Sequence, residues 1–313
     1  TRGAAQSTPT LGGGRAAIDD ATTRPNLKNF FITGQSIFMT ATTFSAMIVG
    51  DEILSGKRAD KHLPKLIELL AAHGLSLQEA YYVGDDRARI TAALTRVFAQ
   101  PDAVMFSFGG IGATPDDHTR QCAAAALGVE LALHPEAEQL IYARMRDVAA
   151  EQGVPFEPNR DDNQHRLNMG VFPVGARIIA NPYNKIPGFC CRAPAGGTVH
   201  FVPGFPVMAW PMVEAELAAH YATLVEPGSW QERSVIVYGA MEASLTPLME
   251  QLEAEFAGVK VFSLPSVDHP QHGRHIELGV KGKPDDLDAA YHWLKQALVA
   301  QSLKLGPEMV RAL

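Results

Sequence analysis

The sequence has few cysteines and no excess of positive charge. Its three cysteines, Cys122 and the adjacent Cys190 and Cys191, form neither a disulfide framework nor a Cys-x-x-Cys metal motif. With 27 basic and 34 acidic side chains, the net charge is -7, which does not favour binding to nucleic acid or to an anionic membrane surface. We therefore expect a cytoplasmic protein with no nucleic-acid or membrane partner.

Long apolar runs are also scarce. The longest run near the start, residues 29–39, is interrupted by Gly34, Gln35 and Ser36 and is far shorter than the roughly 20 residues that span a bilayer. It lacks the cationic leader and clean apolar core of a signal peptide. Residues 1–26 are rich in Gly, Ala and Thr, and we expect residues 1–43 to be a tail with little fixed structure.

From Phe44 onward, short apolar runs alternate with segments of helical periodicity, a pattern typical of an α/β domain with a parallel sheet. This predicts an α/β domain over residues 44–228 and, after a linker at 226–229, a small α+β module over residues 229–313. In the first domain we predict strands at 44–49, 75–83, 102–107, 177–180, 188–192 and 198–202, and helices at 58–73, 87–99, 117–127, 135–150 and up to about 224. In the module we predict strands at 233–238, 259–264 and 275–280, and helices at 241–256 and 285–300.

Three loops that follow predicted strands carry unusual residues. Because the carboxyl ends of parallel strands meet at a shared crevice, we expect these loops to form one site. The first is Gly-flanked and acidic, the second is Gly-rich and ends in two aspartates, and the third contains Pro and Gly; their candidate site residues are Gly50, Asp51 and Glu52, then Ser107, Gly109, Gly110, Gly112, Thr114, Asp116 and Asp117, then Pro203 and Gly204.

The glycine-rich turn has the composition of a phosphate cradle. Glycines let the backbone approach a phosphate, the free amides donate to it, and the dipole of the following helix favours an anion. The turn is neither a dinucleotide fingerprint nor a P-loop. Asp116 and Asp117 would repel a phosphate unless Mg²⁺ or a similar cation lay between them, with Asp51 as a further ligand. Alternatively, one of these two aspartates only caps the following helix.

Several motifs resemble those of a known family. Residues 50–56 (GDEILSG), 83–86 (VGDD) and 109–119 (GGIGATPDDHT) resemble the molybdopterin-binding domain that molybdenum-cofactor biosynthesis proteins (MoaB/Mog-like) share with the N-terminal part of competence/damage-inducible protein A, CinA. The later motifs, at 163–169, 181–182, 187–188 and 203–206, are similar to the CinA branch. The resemblance covers about residues 44–225 and implies a three-layer α/β/α domain that binds a phosphate-bearing pterin or nucleotide.

The resemblance also implies one of three activities that related domains have. Related domains adenylylate molybdopterin, bind the pterin, or cleave a nucleotide pyrophosphate with a divalent metal. The adenylyltransferases usually carry Arg-Asp where this chain has Asp116 and Asp117, which favours the CinA-like branch. Full-length CinA proteins continue into an amidohydrolase domain that deamidates a pyridine nucleotide. The residues after 232 are too few for that domain, so we expect no deamidase.

If the domain is catalytic, we expect metal-assisted attack on a phosphoanhydride. Asp51, Asp116 and Asp117 would hold Mg²⁺, the backbone amides of residues 109–114 would stabilise the charge on a phosphate oxygen, and Glu52 would be the general base. The alternatives are a pterin- or nucleotide-binding module without turnover, and an assembly protein whose C-terminal module binds another chain. A homo-oligomer is expected from the usual behaviour of this fold. The native ligand is left open.

A histidine-rich segment in the C-terminal module offers a second candidate site. His269, His272 and His275 lie close together in sequence, which suggests zinc, but no cysteine or second cluster completes a tetrahedral set. We therefore expect a polar loop there.

Overall fold

The computed structural model describes residues 42–224 and 231–312. The predicted N-terminal tail thus lies outside the described residues apart from Thr42 and Thr43, and the predicted linker at 226–229 lies outside them as well. Thr43 already belongs to the first strand.

Residues 42–224 contain strands and helices in alternation, with most predicted elements in place. The strands are β1 (Thr43–Val49), β2 (Leu77–Val83), β3 (Ala103–Phe108), β4 (Leu131–Leu133), β5 (Val171–Pro173), β6 (Arg177–Ile179), β7 (Gly188–Arg192) and β8 (Thr198–Val202). The helices are α1 (Asp51–Leu54), α2 (His62–Ala72), α3 (Arg87–Phe98), α4 (Thr119–Leu127), α5 (Pro135–Glu151), α6 (Asp161–Arg166) and α7 (Pro206–His220), with a 3₁₀ turn at Leu167–Gly170.

The central sheet has six strands in the order β2-β1-β3-β8-β7-β6. The first four run parallel to one another, and β7 runs antiparallel to both β8 and β6. The mostly parallel α/β sheet is therefore confirmed. Because β1, β3 and β8 are parallel, their carboxyl ends lie along one edge, where the three predicted loops begin.

Helices cover both faces of this sheet and make the three layers. Along β1, Phe44, Ala46 and Ile48 pack with α2 and α7, whereas Met47 and Val49 pack on the opposite face with α3 and α4. This alternation follows from the two-residue period of a strand, and burial on both faces explains the continuous apolar run in the sequence.

Residues 231–312 form the α+β module. Its strands are β9 (Gln231–Tyr238), β10 (Lys260–His269), β11 (Gly273–Gly282) and β12 (Lys304–Ala312), and its helices are α8 (Glu242–Glu255) and α9 (Pro284–Ala300). The antiparallel sheet has the order β10-β11-β9-β12, the arrangement of a ferredoxin-like βαββαβ unit. The helices pack on one face of the sheet around Leu248, Leu278 and Leu294.

The sequence does not predict the shortest elements or the last strand. Strands β4 and β5 have three residues each and, among the described strands, pair with each other alone. Three residues are too few for a readable period. Strand β12 contains Gly306 and Pro307 and shows a register shift between Leu305 and Glu308, so its sequence has the composition of a turn. Among the described helices, none is long and apolar enough to cross a membrane.

Candidate functional site

A cavity of about 740 Å³ lies at the carboxyl ends of β1, β3 and β8. This volume falls within the usual range of small-molecule sites. Its walls come from the loops that follow these three strands and from the turn between β6 and β7, which supplies Asn181 and Asn184. The three loops therefore line one cavity.

Ten of the twelve candidate residues named from the sequence line this cavity. They are Gly50, Glu52, Gly109, Gly110, Gly112, Thr114, Asp116, Asp117, Pro203 and Gly204. The other two, Asp51 and Ser107, are not part of the cavity wall.

Ser107 was expected to bind phosphate, and the structure places it elsewhere. It lies inside β3, opposite Met47 of β1 and Phe201 of β8, and is completely buried. The turn begins only at Gly109, because β3 continues to Phe108. The sheet position of Ser107 thus keeps its side chain away from the ligand space.

Asp51 opens a short helix, α1, where the sequence suggests a loop. Its backbone N–H donates to Asp85 Oδ2 at 3.0 Å, and Asp85 N–H donates to Asp51 Oδ1 at 3.3 Å. This reciprocal pair ties the end of β1 to the end of β2. Asp85, which lines the cavity, belongs to a motif that carries the family resemblance but is not among the site residues predicted from the sequence.

The glycine-rich turn depends on two residues with left-handed backbone. Gly109 and Gly110 have φ of 93° and 68°. A Cβ on Gly109 would lie 2.7 Å from the carbonyl oxygen of Val49, and a Cβ on Gly110 would lie 2.2 Å from Thr119 Oγ1. Both conformation and space therefore require glycine at these positions.

The turn presents unpaired backbone donors to the cavity. Residues 110–113 line the cavity, and within the part of the chain that the structure describes their N–H groups have no hydrogen-bond acceptor. Two hydrogen bonds to carbonyl oxygens of the turn fix its position. Thr119 N–H donates to the carbonyl oxygen of Gly110 at 3.0 Å, and the Arg120 guanidinium donates to the carbonyl oxygen of Gly112 at 2.6 Å. A bound anion would satisfy such unpaired amides on a fixed turn.

Arg120 fixes the turn from inside the protein. It is buried, and it also donates to the backbone carbonyl of Asn168 in the 3₁₀ turn. Burial lowers the pKa of Arg120, and the nearby charge of Asp117 raises it. The sequence gives no signal for this role, because Arg120 has the pattern of an ordinary helical residue.

The two aspartates after the turn do not cap α4 with their side chains. That helix begins at Thr119 with His118 as its N-cap residue. Instead, Asp117 Oδ2 accepts from the backbone N–H of Thr114 at 2.8 Å and from the Thr114 hydroxyl. The Thr114 hydroxyl also lowers the pKa of Asp116, whose carboxylate is exposed. The capping interpretation is thus replaced by a local turn that directs both carboxylates toward the cavity.

Four carboxylates, those of Glu52, Asp85, Asp116 and Asp117, line the cavity and make it acidic. Burial raises the pKa of Asp85, with further upward contributions from the charges of Asp51, Asp116 and Glu52. Among the described residues, no group of three or more His, Cys, Asp or Glu side chains could hold a metal by itself. The exposed Asp116 and the second oxygen of Asp117 still suit Mg²⁺, which ordinarily takes one or two carboxylates and completes its shell with phosphate oxygens and water.

His62, at the start of α2, closes another side of the cavity. Its Nε2 lies 3.1 Å from the carbonyl oxygen of Gly204, and its ring stacks on Phe108 with centroids 4.5 Å apart. Burial lowers the pKa of His62, so the neutral ring with Nε2–H donating fits this environment. Arg58 and Lys61 also line the cavity.

The sequence-based interpretation missed these three residues because they precede a helix rather than follow a strand. Their only local signal is a basic, helix-initiating stretch, which is common at protein surfaces.

The three histidines lie close together in a β-hairpin, and the expected polar loop is limited to a short turn: His269 ends β10, His272 lies in the turn and His275 lies within β11. The His269 and His272 rings stack at 5.0 Å, and His275 packs edge-on against both. His269 Nδ1 accepts from the backbone N–H groups of Gln271 and His272. His272 Nδ1 lies 3.1 Å from the Tyr238 hydroxyl. His269 Nδ1 is thus engaged by the backbone of the hairpin turn, and His272 Nδ1 by Tyr238 of β9.

The fold and the site together define a class: a three-layer α/β domain with a glycine-rich turn in a cavity at the carboxyl ends of its parallel strands. Residues 45–221 match the family described as "Probable molybdopterin binding domain". Because this match covers more than half of the chain, the protein belongs to the molybdopterin-binding domain family, in its MoaB/Mog-like and CinA-like group.

Similar proteins include several CinA-like proteins. That of Citrifermentans bemidjiense is 31% identical over 206 residues, which cover 66% of this chain and 47% of that protein. That of Anaeromyxobacter dehalogenans is 36% identical over 162 residues, or 51% of this chain and 36% of that protein. The chain thus spans less than half the length of these relatives. Protein Ta0487 of Thermoplasma acidophilum is 28% identical over 274 residues, covering 85% of this chain and 98% of that protein.

Solved structures of related proteins are also similar to this chain. The crystal structure of a CinA protein of unknown function from Thermoplasma acidophilum is 27% identical, covers 59% of this chain and 99% of its own, and has a TM-score of 0.46. The molybdopterin biosynthesis enzyme MoaB of Thermus thermophilus is 20% identical, covers 58% and 94% respectively, and has a TM-score of 0.38.

Proposed function

We propose that this protein binds a phosphate-bearing pterin or nucleotide in the cavity and catalyses metal-dependent cleavage or nucleotidyl transfer at its pyrophosphate. The observation that carries the proposal is the run of cavity-lining N–H groups at residues 110–113 without acceptors in the described chain. Residues 110–112 are buried or half-buried, and donors without partners in such positions are unfavourable unless a ligand or water satisfies them. A phosphate oxygen is the acceptor that this geometry suits best.

In the cleavage reaction, a water oxygen attacks one phosphorus of the diphosphate and the bridging P–O bond breaks. The products are two phosphate monoesters. Glu52, which is half-buried and lines the cavity, would accept the proton that the water loses. The amides of residues 110–113 would hold the phosphate oxygen on which negative charge develops. In nucleotidyl transfer, the hydroxyl or phosphate of a second substrate would replace the water.

Mg²⁺ or another divalent cation would supply charge neutralisation between the phosphates and the acidic side of the cavity. Asp116 and Asp117 would hold it, with Asp51 and Asp85 on the same side. Asp117 would also keep the turn in shape through its bonds to Thr114. The low cysteine content remains our ground for proposing a cytoplasmic location, and the fold class remains our ground for proposing a homo-oligomer.

One observation favours a second candidate, a binding module without turnover. The carboxylates of Asp51 and Asp117 already accept hydrogen bonds from the backbone. These two carboxylates therefore stabilise loops and are less available to bind a metal. Such a module would bind the pterin or nucleotide through the same glycine-rich turn.

The test is a ligand panel with ADP-ribose, FAD, NAD, ATP and molybdopterin, each with and without Mg²⁺, Mn²⁺ or Co²⁺. Thermal shift reports binding, and chromatography of the products reports turnover. We expect stabilisation by at least one ligand and metal-dependent cleavage of a diphosphate bond. The variant Asp117→Asn keeps an oxygen for the two bonds from Thr114 but removes the charge, so turnover should fall at least about 100-fold while the fold is retained.

Asp161→Asn is the matched control, because Asp161 is exposed on α6 and does not line the cavity. It should leave binding and turnover unchanged. Stabilisation without cleavage in the wild type would select the binding module. Absence of both effects across the panel would contradict the proposal.

A further inference from the structure

Three carbonyl groups of the glycine-rich turn are bonded by the first two residues of α4. The Gly109 carbonyl oxygen accepts from the Thr119 hydroxyl at 3.2 Å, and the Gly110 carbonyl oxygen accepts from the Thr119 N–H at 3.0 Å. The Gly112 carbonyl oxygen accepts from the Arg120 guanidinium at 2.6 Å. The start of α4 therefore fixes the orientation of three peptide groups in the turn.

The orientation of a carbonyl also fixes the N–H of the same peptide group, because the two point in opposite directions across a trans peptide plane. The carbonyls of Gly109, Gly110 and Gly112 share their peptide groups with the N–H groups of Gly110, Ile111 and Ala113. Those three N–H groups therefore point away from α4. Their residues line the cavity, and the N–H groups have no acceptor within the described ranges of the chain.

Arg120 has an unusual environment for a buried cation. It is 4% exposed, and its guanidinium donates to backbone carbonyls, those of Gly112 and Asn168. Its Nε is buried without a hydrogen-bond partner among the described residues. The charge of Asp117 acts on it, but the Asp117 carboxylate accepts its hydrogen bonds from Thr114. A buried charge without a directly bonded counter-ion is unfavourable, and an anion bound to the turn would offset that cost.

We propose that Arg120 is a positioning residue for the anion site: by bonding the Gly112 carbonyl, it directs the Ala113 N–H at a bound phosphate and strengthens that N–H as a donor. Its buried positive charge favours the same anion through the turn. Thr119 orients the other two N–H groups without adding charge. The inference rests on the proposed function, since it assigns the residues that orient the amides expected to hold a phosphate oxygen.

The experiment follows backbone ¹H–¹⁵N resonances of the full chain during titration with the α,β-methylene analogue of ADP-ribose in buffer with Mg²⁺. The methylene bridge of this probe cannot be hydrolysed. Arg120→Gln removes the charge, whereas Arg120→Lys keeps it. Arg89→Gln is the control for loss of a positive charge, because Arg89 is exposed on α3 and does not line the cavity. Calorimetry measures the affinity of each protein, and thermal unfolding checks its fold.

In the wild type we expect the N–H resonances of Gly110, Ile111 and Ala113 to move downfield on binding, since each N–H gains an acceptor. The Thr114 N–H already donates to Asp117, so its resonance should move least. In Arg120→Gln the Ala113 resonance should no longer respond, while the other two still move.

The affinities should separate charge from shape. Arg120→Gln should bind the analogue at least about tenfold more weakly than the wild type. Arg120→Lys should recover the affinity to within about threefold of the wild type, and Arg89→Gln should match it. A purely structural role would make the Gln and Lys variants equally weak.

The variant Thr119→Val provides a matched comparison, because it removes the hydroxyl that bonds Gly109 and keeps the backbone N–H. Its effect should appear at Gly110, with the Ala113 response unchanged. If Arg120→Gln does not fold, the wild-type resonances together with Arg120→Lys and Thr119→Val decide the question.

Three results would overturn the inference and leave the proposed function intact. They are an Ala113 response that persists in Arg120→Gln, equal weakening by the Gln and Lys variants, and a wild type that binds ligands of the panel while the three N–H resonances stay in place. If the wild type responds neither to the analogue nor to the panel, the proposed function itself fails, and the inference with it.

Discussion

At the scale of single residues, the glycine-rich turn determines whether the site exists. Gly110 is confined by its positive φ and by Thr119 directly behind it. Gly128, which ends α4, has nearly the same φ of 67°, but no atom lies within 4 Å of the position that a Cβ would take there. Substitutions at these two glycines therefore distinguish the cost of backbone strain from the cost of steric overlap.

Replacing each glycine by alanine should give different results. Gly128→Ala should lower the free energy of unfolding by about 1 kcal/mol, the cost of a left-handed backbone at alanine. Gly110→Ala should lower it by roughly 1–3 kcal/mol more, because its methyl group would overlap buried Thr119. Chemical denaturation measures both. Only Gly110→Ala should also abolish the thermal shift produced by ligand. Equal effects of the two changes on stability would show that the turn tolerates a side chain.

The sequence predicts the turn and the paired aspartates because the residues that form them are adjacent in the sequence. Gly109, Gly110 and Asp117 act within one loop, so their roles are readable from spacing and from the family resemblance. Arg58, His62 and Asp85 come from other segments and reach the cavity only through the fold. Ser107 was misplaced because the end of β3 lies one residue beyond the predicted strand.

At the scale of elements, a buried polar network joins β6, β8 and α7 on the side of the sheet that α7 covers. Arg177 donates to Glu216 through two nitrogens, and His200 Nδ1 lies 2.8 Å from Glu216 Oε2. His200 Nε2 lies 2.7 Å from the Tyr221 hydroxyl. The network fixes α7, whose first residues border the cavity.

Protonation of this network should make stability depend on pH. Burial alone would raise the pKa of Glu216, but bonds from His200 and Arg177 outweigh it and lower the pKa to about 2. Burial lowers the pKa of His200. In both cases the unfolded chain binds protons more readily than the folded chain. Stability should therefore fall as the pH drops below 6.5, because of His200. It should fall again between pH 4.5 and pH 2, because of Glu216.

The variant Glu216→Gln tests this dependence. It should lower the free energy of unfolding by about 3 kcal/mol at neutral pH, because it leaves the partners of a buried carboxylate uncompensated. The difference from the wild type should narrow as the pH falls from 4.5 toward 2. Glu214→Gln, on an exposed position of the same helix, should change stability by less than about 0.5 kcal/mol. A constant difference between Glu216→Gln and the wild type across this pH range would contradict the assignment.

Helices and strands of ordinary length were predictable because burial of a face produces a periodic spacing of apolar residues in the sequence. The runs in β1 and β3 and the helical spacing in α2 and α3 were readable for this reason. The interaction of His200 with Glu216 was not, because it depends on how α7 lies on the sheet. The pairing of β12 with β9 likewise depends on a long-range contact that no local pattern encodes.

At the scale of the whole molecule, the described residues form separate buried cores. One set of buried side chains, from β9 to α9, packs within the C-terminal module, and the clusters around the central sheet contain only residues 44–217. Within the described residues, the cavity wall is likewise drawn from residues 48–208. Ligand binding should therefore depend on the first domain alone.

Deletion of residues 231–313 tests this division. We expect the shortened chain to unfold cooperatively and to bind the panel ligand with an affinity within about threefold of the full chain. Calorimetry measures both properties. If the module binds another chain, deletion should remove that partner while ligand binding persists. Loss of ligand binding in a folded deletion variant would assign the module a part in the site.

The most direct test of the central claim is a ³¹P NMR spectrum of ADP-ribose with the full chain and Mg²⁺. If the cavity binds and cleaves a diphosphate, the two coupled diphosphate resonances should broaden at stoichiometric protein and then give way to two monophosphate resonances. Asp117→Asn should show the broadening with at least about 100-fold slower conversion. A spectrum that stays sharp and unchanged for ADP-ribose, and likewise for FAD and NAD, would contradict the claim that this cavity is a diphosphate site.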